Sequence, residues 1–339
     1  MQTMIIESVE VSRVIETPTP TPGRGEVLVK VDYVGLCGSD LNTFMGVNPL
    51  AKLPRIPGHE IAGTVVELGE GVQIEGGIGA RVVVVPYTTC GTCSSCRKGR
   101  VNACRYNQTM GVQKDGGMSE MLVVPVEKVI VNNNLPPQRL ALVEPLSVGF
   151  HAAARGSVGK GDRVVVLGCG MIGVGAIMGA AARGAEVIAV DLGSAKKDKA
   201  LAFGAAHFVA SGEQDLDAIV NEVTGGDGAD VVIEAVGVPD TFVKAVDLAC
   251  FAGRVVYVGY SKAPVSYNTS LFNLKELDIH GSRNATRADF EAVISHLEGL
   301  GDVADDLISK MFPLSDAAEA LPHWLRERAD TFKVMVKCS

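Results

Sequence analysis

The sequence predicts an α/β protein in two parts: a doubly wound parallel sheet with helices on both faces, and an irregular β domain. Two patterns carry that expectation. Beyond about residue 145, near-continuous apolar strands alternate with helical segments, as they do in a parallel sheet buried on both sides. Before it, short strands follow one another between frequent turn signals.

Strands are expected first at Glu26–Val31, Ile61–Leu68, Arg81–Val85 and Met121–Val124, between turns such as Asp115-Gly116-Gly117. Glu144-Pro145 then opens an Ala-rich helical stretch to Arg155, with proline in a tolerated first-turn position. Further strands are expected at Val164–Gly168, Glu186–Asp191, His207–Ala210, Asp230–Gly237, Gly253–Gly259 and Leu277–Ser282. Helices fall at Met171–Arg183, Ala195–Phe203 and Asp240–Cys250. A last strand, Phe332–Val336, is expected to return to the first domain.

Composition narrows the function classes. With 47% apolar and 21% charged residues the chain is an ordinary globular protein, and its net charge of -8 leaves no basic footprint for nucleic acid or an anionic membrane. The start carries Glu7 and Glu10 and lacks a basic segment, which points to a cytoplasmic protein. The uncharged run Val164–Ala182 is long enough to span a bilayer. Its β-branched opening Val164-Val165-Val166 and its glycines read better as a strand, a turn and a buried helix. The Gly175–Gly179 spacing imitates a membrane-helix dimer motif and is given no weight here.

Four of the eight cysteines crowd into Cys90-x2-Cys93-x2-Cys96-x7-Cys104. Four thiolates so spaced can wrap one tetrahedral zinc, and a site closed by four protein ligands is structural. A ferredoxin run starts the same way, but its fourth cysteine follows after three residues and precedes proline; here the gap is seven and Arg105 follows. Zinc is the better fit.

Gly168-Cys169-Gly170-Met171-Ile172-Gly173 follows an apolar strand and opens a helix, and Asp191 ends the next strand. That context makes it a Rossmann dinucleotide fingerprint. Gly168 permits the tight turn, Gly170 the approach of a pyrophosphate, and Gly173 close packing of the helix whose N-terminus faces the phosphates. Asp191 would bind the adenine-side ribose and repel a 2′-phosphate. NAD is therefore expected over NADP, although Lys196 and Lys197 blur the choice.

Cys37-Gly38-Ser39-Asp40, Gly58-His59-Glu60 and Glu144-Pro145 are each weak signals alone. Together with the cysteine lobe and the nucleotide motif, the ensemble resembles the medium-chain, zinc-containing alcohol and polyol dehydrogenase family, nearly end to end. In the polyol (sorbitol dehydrogenase-like) branch, Glu replaces one cysteine ligand. The resemblance implies a GroES-like irregular β-barrel catalytic domain over 1–148 and 283–339, with the zinc lobe at about 88–106, and a Rossmann domain over 149–282. It implies two zinc ions per chain, the catalytic one held by Cys37, His59 and Glu144, with Glu60 as alternate ligand or supporting group. Ser39 would pass the substrate proton onward. Many members end the relay in a histidine where this chain has Asn42, so the route is expected to finish through cofactor ribose and water. Gly237, Val258 and Gly259 would line the cofactor. Arg283, in the segment GSRNAT (281–286), would lie beside nicotinamide and substrate. His151 and His207 are taken as structural.

The implied activity is hydride transfer from a secondary alcohol of a sugar alcohol or sugar acid to NAD, in a homodimer or homotetramer built through Gly253–Gly259 and Leu277–Ser282. A simple alcohol or L-threonine remains an alternative substrate, and a redox sensor with structural zinc only is the non-enzymatic alternative.

Overall fold

The computed structural model describes residues 1–328 and 331–339; residues 329–330, inside the expected 283–339 segment, lie outside the description. The chain forms two compact units, one of Met1–Glu144 with Ile294–Ser339 and one of Pro145–Val293.

In the first unit β1 (Gln2–Ser8) and β2 (Val11–Glu16) form an antiparallel ribbon that the sequence reading did not include. A seven-stranded sheet gathers β3 (Glu26–Leu36), β4 (Glu60–Leu68), β5 (Arg81–Val84), β6 (Met121–Pro125) and β7 (Val129–Val131). In the second unit follow β8 (Arg163–Leu167), β9 (Glu186–Asp191), β10 (His207–Ala210), β11 (Ala229–Glu234), β12 (Ala249–Tyr257) and β13 (Asp278–Gly281). The chain then closes with β14 (Ile308–Pro313) and β15 (Lys333–Lys337), which complete the first unit's sheet in the order β14-β15-β3-β4-β5-β7, with β6 also on β3. The expected return of the C-terminal strand is thus seen: β15 runs antiparallel to β3, pairing Val336 with Val34. Residues of β3 and β4 alternate into a core of Val27, Val29, Val31, Ile61 and Val65.

The second unit is a six-stranded, wholly parallel sheet in the order β10-β9-β8-β11-β12-β13. This is the doubly wound order, with its reversal between β8 and β11, and ligands of such sheets bind beyond the strand ends at that reversal. Val164, Val165 and Val166 are fully buried because both faces are covered. Only β13 is an edge strand on that side; β12, expected to share the edge, is paired on both sides, by β11 and β13. The expected strand 230–237 stops at Glu234, and residues 235–237 turn away.

The uncharged run at 164–182 resolves into β8, the glycine turn and the helix Met171–Ala181. No helix among the described residues is long and apolar enough to cross a membrane. Gly175 and Gly179, given no weight above, do have a packing role. A Cβ on Gly175 would stand 2.5 Å from the Leu146 carbonyl oxygen, and one on Gly179 would stand 3.0 Å from the Phe150 Cα. The spacing therefore marks a close helix crossing inside a globular core, between Met171–Ala181 and the helix Val143–Arg155. Gly149 lies on the facing side, where a Cβ would come within 2.2 Å of the Ala176 nitrogen. Near this crossing His151 Nδ1 sits 2.8 Å from Asp289, whose carboxylate also accepts from the Thr286 amide. His207 pairs with Glu186 at the surface.

Because backbone, not a movable side chain, blocks position 149, Gly149→Ala should destabilise the protein by roughly 1–3 kcal/mol. Chemical denaturation of the two proteins measures this; an unchanged midpoint would refute the close crossing.

Candidate functional site: two ligand clusters and a nucleotide turn

Cys90, Cys93, Cys96 and Cys104 bring their sulfurs together around the short helix Ser94–Arg97. Cys90 and Cys96 sulfurs are 4.0 Å apart, and those of Cys93 and Cys104 3.9 Å. A tetrahedron with zinc–sulfur bonds of about 2.3 Å has sulfur edges of about 3.8 Å. These separations match it and are far too long for disulfide bonds. The Ser95 hydroxyl and the Arg105 and Cys96 amides pull the Cys93 thiol down to about 5, toward the thiolate a metal needs. Arg97, Lys98, Arg100 and Arg105, with no acid among residues 90–105, offset the negative charge that four thiolates would keep around one divalent ion.

The second cluster lies deeper in the same unit. β3 ends at Leu36, and Cys37 is the N-cap of the helix Gly38–Phe44. Gly58-His59-Glu60 leads into β4, where Glu60 pairs with Gly35 of β3. This register brings ligand atoms of Cys37, His59 and Glu60 within 4.8 Å of one another. Glu144, at the start of the helix Val143–Arg155, is 4% exposed and stands beside that set rather than in it.

Three residues not singled out in the sequence reading organise the cluster. Asp40 is fully buried; its carboxylate accepts from the Cys37 amide at 2.9 Å and the Gly58 amide at 3.1 Å, and lies 3.9 Å from His59 Nδ1. One side chain thus ties the cysteine loop to the histidine loop. Tyr87 donates its hydroxyl to Glu144. Lys333, on β15, donates to Glu60 at 2.6 Å and to the Leu36 carbonyl at 2.9 Å, and is 2% exposed. Asp40 had a local signal, its place beside Ser39 in the cysteine box. Tyr87 and Lys333 had none, since only the fold brings them there.

The electrostatics of this cluster are those of surplus negative charge. Burial pushes the Glu144 carboxyl up to about 7, with Glu60 adding to the rise and His59 opposing it. Burial works against a proton on His59, yet Asp40, Cys37 and Glu144 outweigh it and hold the imidazole well above its usual range. Tyr87 is raised by burial and by Glu144. A divalent cation would supply the charge such a set lacks. Buried Ser39 Oγ has no hydrogen-bond partner within the protein, which leaves it open to a ligand; His59 Nδ1 also lacks one but faces the Asp40 carboxylate. Asn42 lies on the same helix as Ser39.

In the second unit Gly168 takes φ +95°, where a side chain would be strained. A Cβ on Gly173 would meet the Gly168 carbonyl oxygen at 1.8 Å, so the helix Met171–Ala181 starts hard against the turn. Gly170 differs: a Cβ there would meet nothing within 4 Å. Protein packing does not require that glycine, whereas a bound pyrophosphate at the helix N-terminus does. Asp191 ends β9 and accepts from the Cys169 amide at 2.8 Å and from Lys196 Nζ at 3.1 Å. Val258 and Gly259 donate their amides to the Glu234 carbonyl, and the Gly237 amide donates to the Glu234 carboxylate. Arg283 follows β13 and is exposed.

Comparison with known proteins agrees with this construction. Residues 23–134 match the model of the alcohol dehydrogenase GroES-like domain, and residues 172–299 that of the zinc-binding dehydrogenases. L-galactonate-5-dehydrogenase of Escherichia coli K12 is 36% identical over 88% of this chain and 88% of its own length. A sorbitol dehydrogenase of Halalkalibacterium halodurans is 35% identical over 89% of each. An alcohol dehydrogenase of Escherichia coli CFT073, solved in complex with NADH, superposes with a TM-score of 0.91 at 31% identity, covering 99% of both chains.

Replacing Cys96 with serine should remove one zinc per chain and lower the thermal midpoint. Turnover by the fraction that stays folded should be affected only indirectly. Metal analysis with a thermal melt tests this; full zinc content in the variant would contradict the four-sulfur site.

Proposed function

Since the chain belongs to the zinc-type medium-chain alcohol dehydrogenase family and is an oxidoreductase acting on CH–OH groups, we propose that it oxidises a secondary alcohol of a sugar alcohol or sugar acid with NAD. The observation that carries this reading is the buried set Cys37, His59 and Glu60, with Glu144 beside it. Cys37 and His59 would hold the catalytic zinc with one carboxylate, Glu60 by its proximity or Glu144 as in the polyol branch. Cys90, Cys93, Cys96 and Cys104 would hold the structural ion. When bound, zinc supplies Lewis acidity for the substrate hydroxyl, and nicotinamide accepts the hydride from the carbinol carbon.

The remaining work belongs to the chain's own residues. Asp40 ties the histidine loop to the cysteine loop and favours a proton on His59. Lys333 neutralises part of the buried acid. Ser39 Oγ, without a hydrogen-bond partner inside the protein, takes the substrate proton and hands it on toward water; Asn42, on the same helix, cannot titrate and so does not end the relay. The turn Gly168–Gly173, with Met171 and Ile172 opening its helix, holds the pyrophosphate, and Asp191 the adenine-side ribose. Gly237, Val258 and Gly259 line the nicotinamide end. A sugar acid is favoured among polyhydroxy substrates because Arg283 offers a planar partner for a carboxylate, and because a relative of the chain is named for a galactonate. Dimers or tetramers would form through β13, the exposed edge of the parallel sheet.

Two outcomes are expected. His59→Ala should abolish turnover and lower zinc content while NADH binding, followed by fluorescence, persists; turnover by the zinc-depleted variant would refute the assignment. NAD reduction screened against aldonates, polyols, simple alcohols and L-threonine should give the highest kcat/KM with an aldonate or polyol. NAD should serve better than NADP, and Asp191→Ala should narrow that gap by about tenfold or more. Equal use of both cofactors by the unaltered enzyme would remove the role given to Asp191.

A further inference from the structure

Glu234 ends β11, one strand beyond the reversal in the parallel sheet, and is fully buried. One carboxylate oxygen accepts three hydrogen bonds, from the Val236 amide at 2.9 Å, the Gly237 amide at 2.7 Å and the Thr241 hydroxyl at 2.7 Å. Its main-chain carbonyl accepts two more, from the amides of Val258 at 2.9 Å and Gly259 at 3.1 Å. A single residue therefore pins two turns that are distant in sequence. Both are shaped around it. Gly237 takes φ +87°, and a Cβ on Gly259 would stand 2.4 Å from the second carboxylate oxygen. That oxygen, Oε2, is buried without a hydrogen-bond partner, and among the described residues Glu234 forms no ion pair. Burying a carboxylate with half its acceptor capacity unused is costly, and packing alone gives no reason for it. An amide or a hydroxyl side chain could tie the turns without a charge.

Position supplies a reason. In a doubly wound sheet the dinucleotide lies across the strand ends, one nucleotide on each side of the reversal. Asp191 and the glycine turn occupy the β8–β9 side, which leaves the β11–β12 side, with its Glu234-centred turns, for the nicotinamide half. The nicotinamide ring carries a positive charge in the oxidised cofactor and none in the reduced one, so a nearby fixed anion favours the oxidised form. Resting on the reading that this unit binds NAD, we propose that Glu234 is a positioning residue that fixes the two nicotinamide-side turns and, through its unpaired charge, biases the bound cofactor toward NAD⁺.

The test is equilibrium binding of NAD⁺ and NADH to the zinc-loaded enzyme, to E234Q and to T241V, read as the ratio of the two dissociation constants. E234Q keeps the side chain's shape and an acceptor for the turn but removes the charge. It should raise the NAD⁺ Kd relative to the NADH Kd by about fivefold or more. T241V removes one hydrogen bond and keeps the charge, so it should weaken both forms alike and leave the ratio unchanged. A change of the same factor for both cofactor forms in E234Q would reduce Glu234 to a strut and overturn the proposal. So would a shifted ratio in T241V, which keeps the proposal open to refutation even where E234Q does not fold. Failure of the unaltered enzyme to bind either form would instead sink the NAD reading itself.

Discussion

Negative charge buried in a small volume constrains the first unit more than any other feature. Asp40, Glu60 and Glu144 are all nearly or fully withdrawn from water beside Cys37, with Lys333 and His59 standing against them as cations. An isolated buried carboxylate is expensive, so each of these must be hydrogen-bonded, paired or neutralised by something bound. Asp40 is satisfied by two backbone amides, Glu144 is held by Tyr87, and Glu60 is held by Lys333. The raised His59 and Glu144 are the remainder of that imbalance. A divalent metal bound by Cys37, His59 and a carboxylate would remove it.

The same constraint explains the chain's order. Lys333 arrives on the C-terminal strand, which crosses back to pair with Tyr33–Leu36, the end of β3 that leads into Cys37. Without β15 the sheet would lose both a strand and the cation that makes Glu60 tolerable. Cys37 sits at the end of β3 and Glu60 at the start of β4, so antiparallel pairing of those strands is itself the device that brings the ligands together. In the second unit, by contrast, parallel strands point their C-terminal ends one way, and ligands of such sheets gather there by topology rather than by pairing.

Much of this was legible in sequence where the signal is local. The four cysteines lie within one loop, so their spacing alone describes a tetrahedral site. The strand, glycine turn and helix at 163–181 follow from β-branched residues, a positive-φ glycine and a helix start in immediate succession. Strands β9 and β10 begin and end where the pattern places them. Cys37, His59 and Glu144 were separable from ordinary core residues only through family resemblance, because each is a single side chain in an unremarkable local context.

Sequence by itself determined most strands of the parallel sheet, the two-part architecture and the motifs whose residues are neighbours along the chain, since those depend on short-range periodicity, turn chemistry and ligand spacing; the β1–β2 ribbon, β7 and β14 lay beyond it. Only the tertiary structure decided that Glu60, rather than Glu144, clusters with Cys37 and His59, that Lys333 and Tyr87 hold the two carboxylates, and that Gly175 and Gly179 serve a helix crossing. It also decided that β11 ends at Glu234, where the side chain captures the following amides and turns the chain. The physical reason is common to all of these: each depends on a close approach between residues far apart in sequence, set by sheet register and helix packing, and a local pattern carries no information about its distant partner.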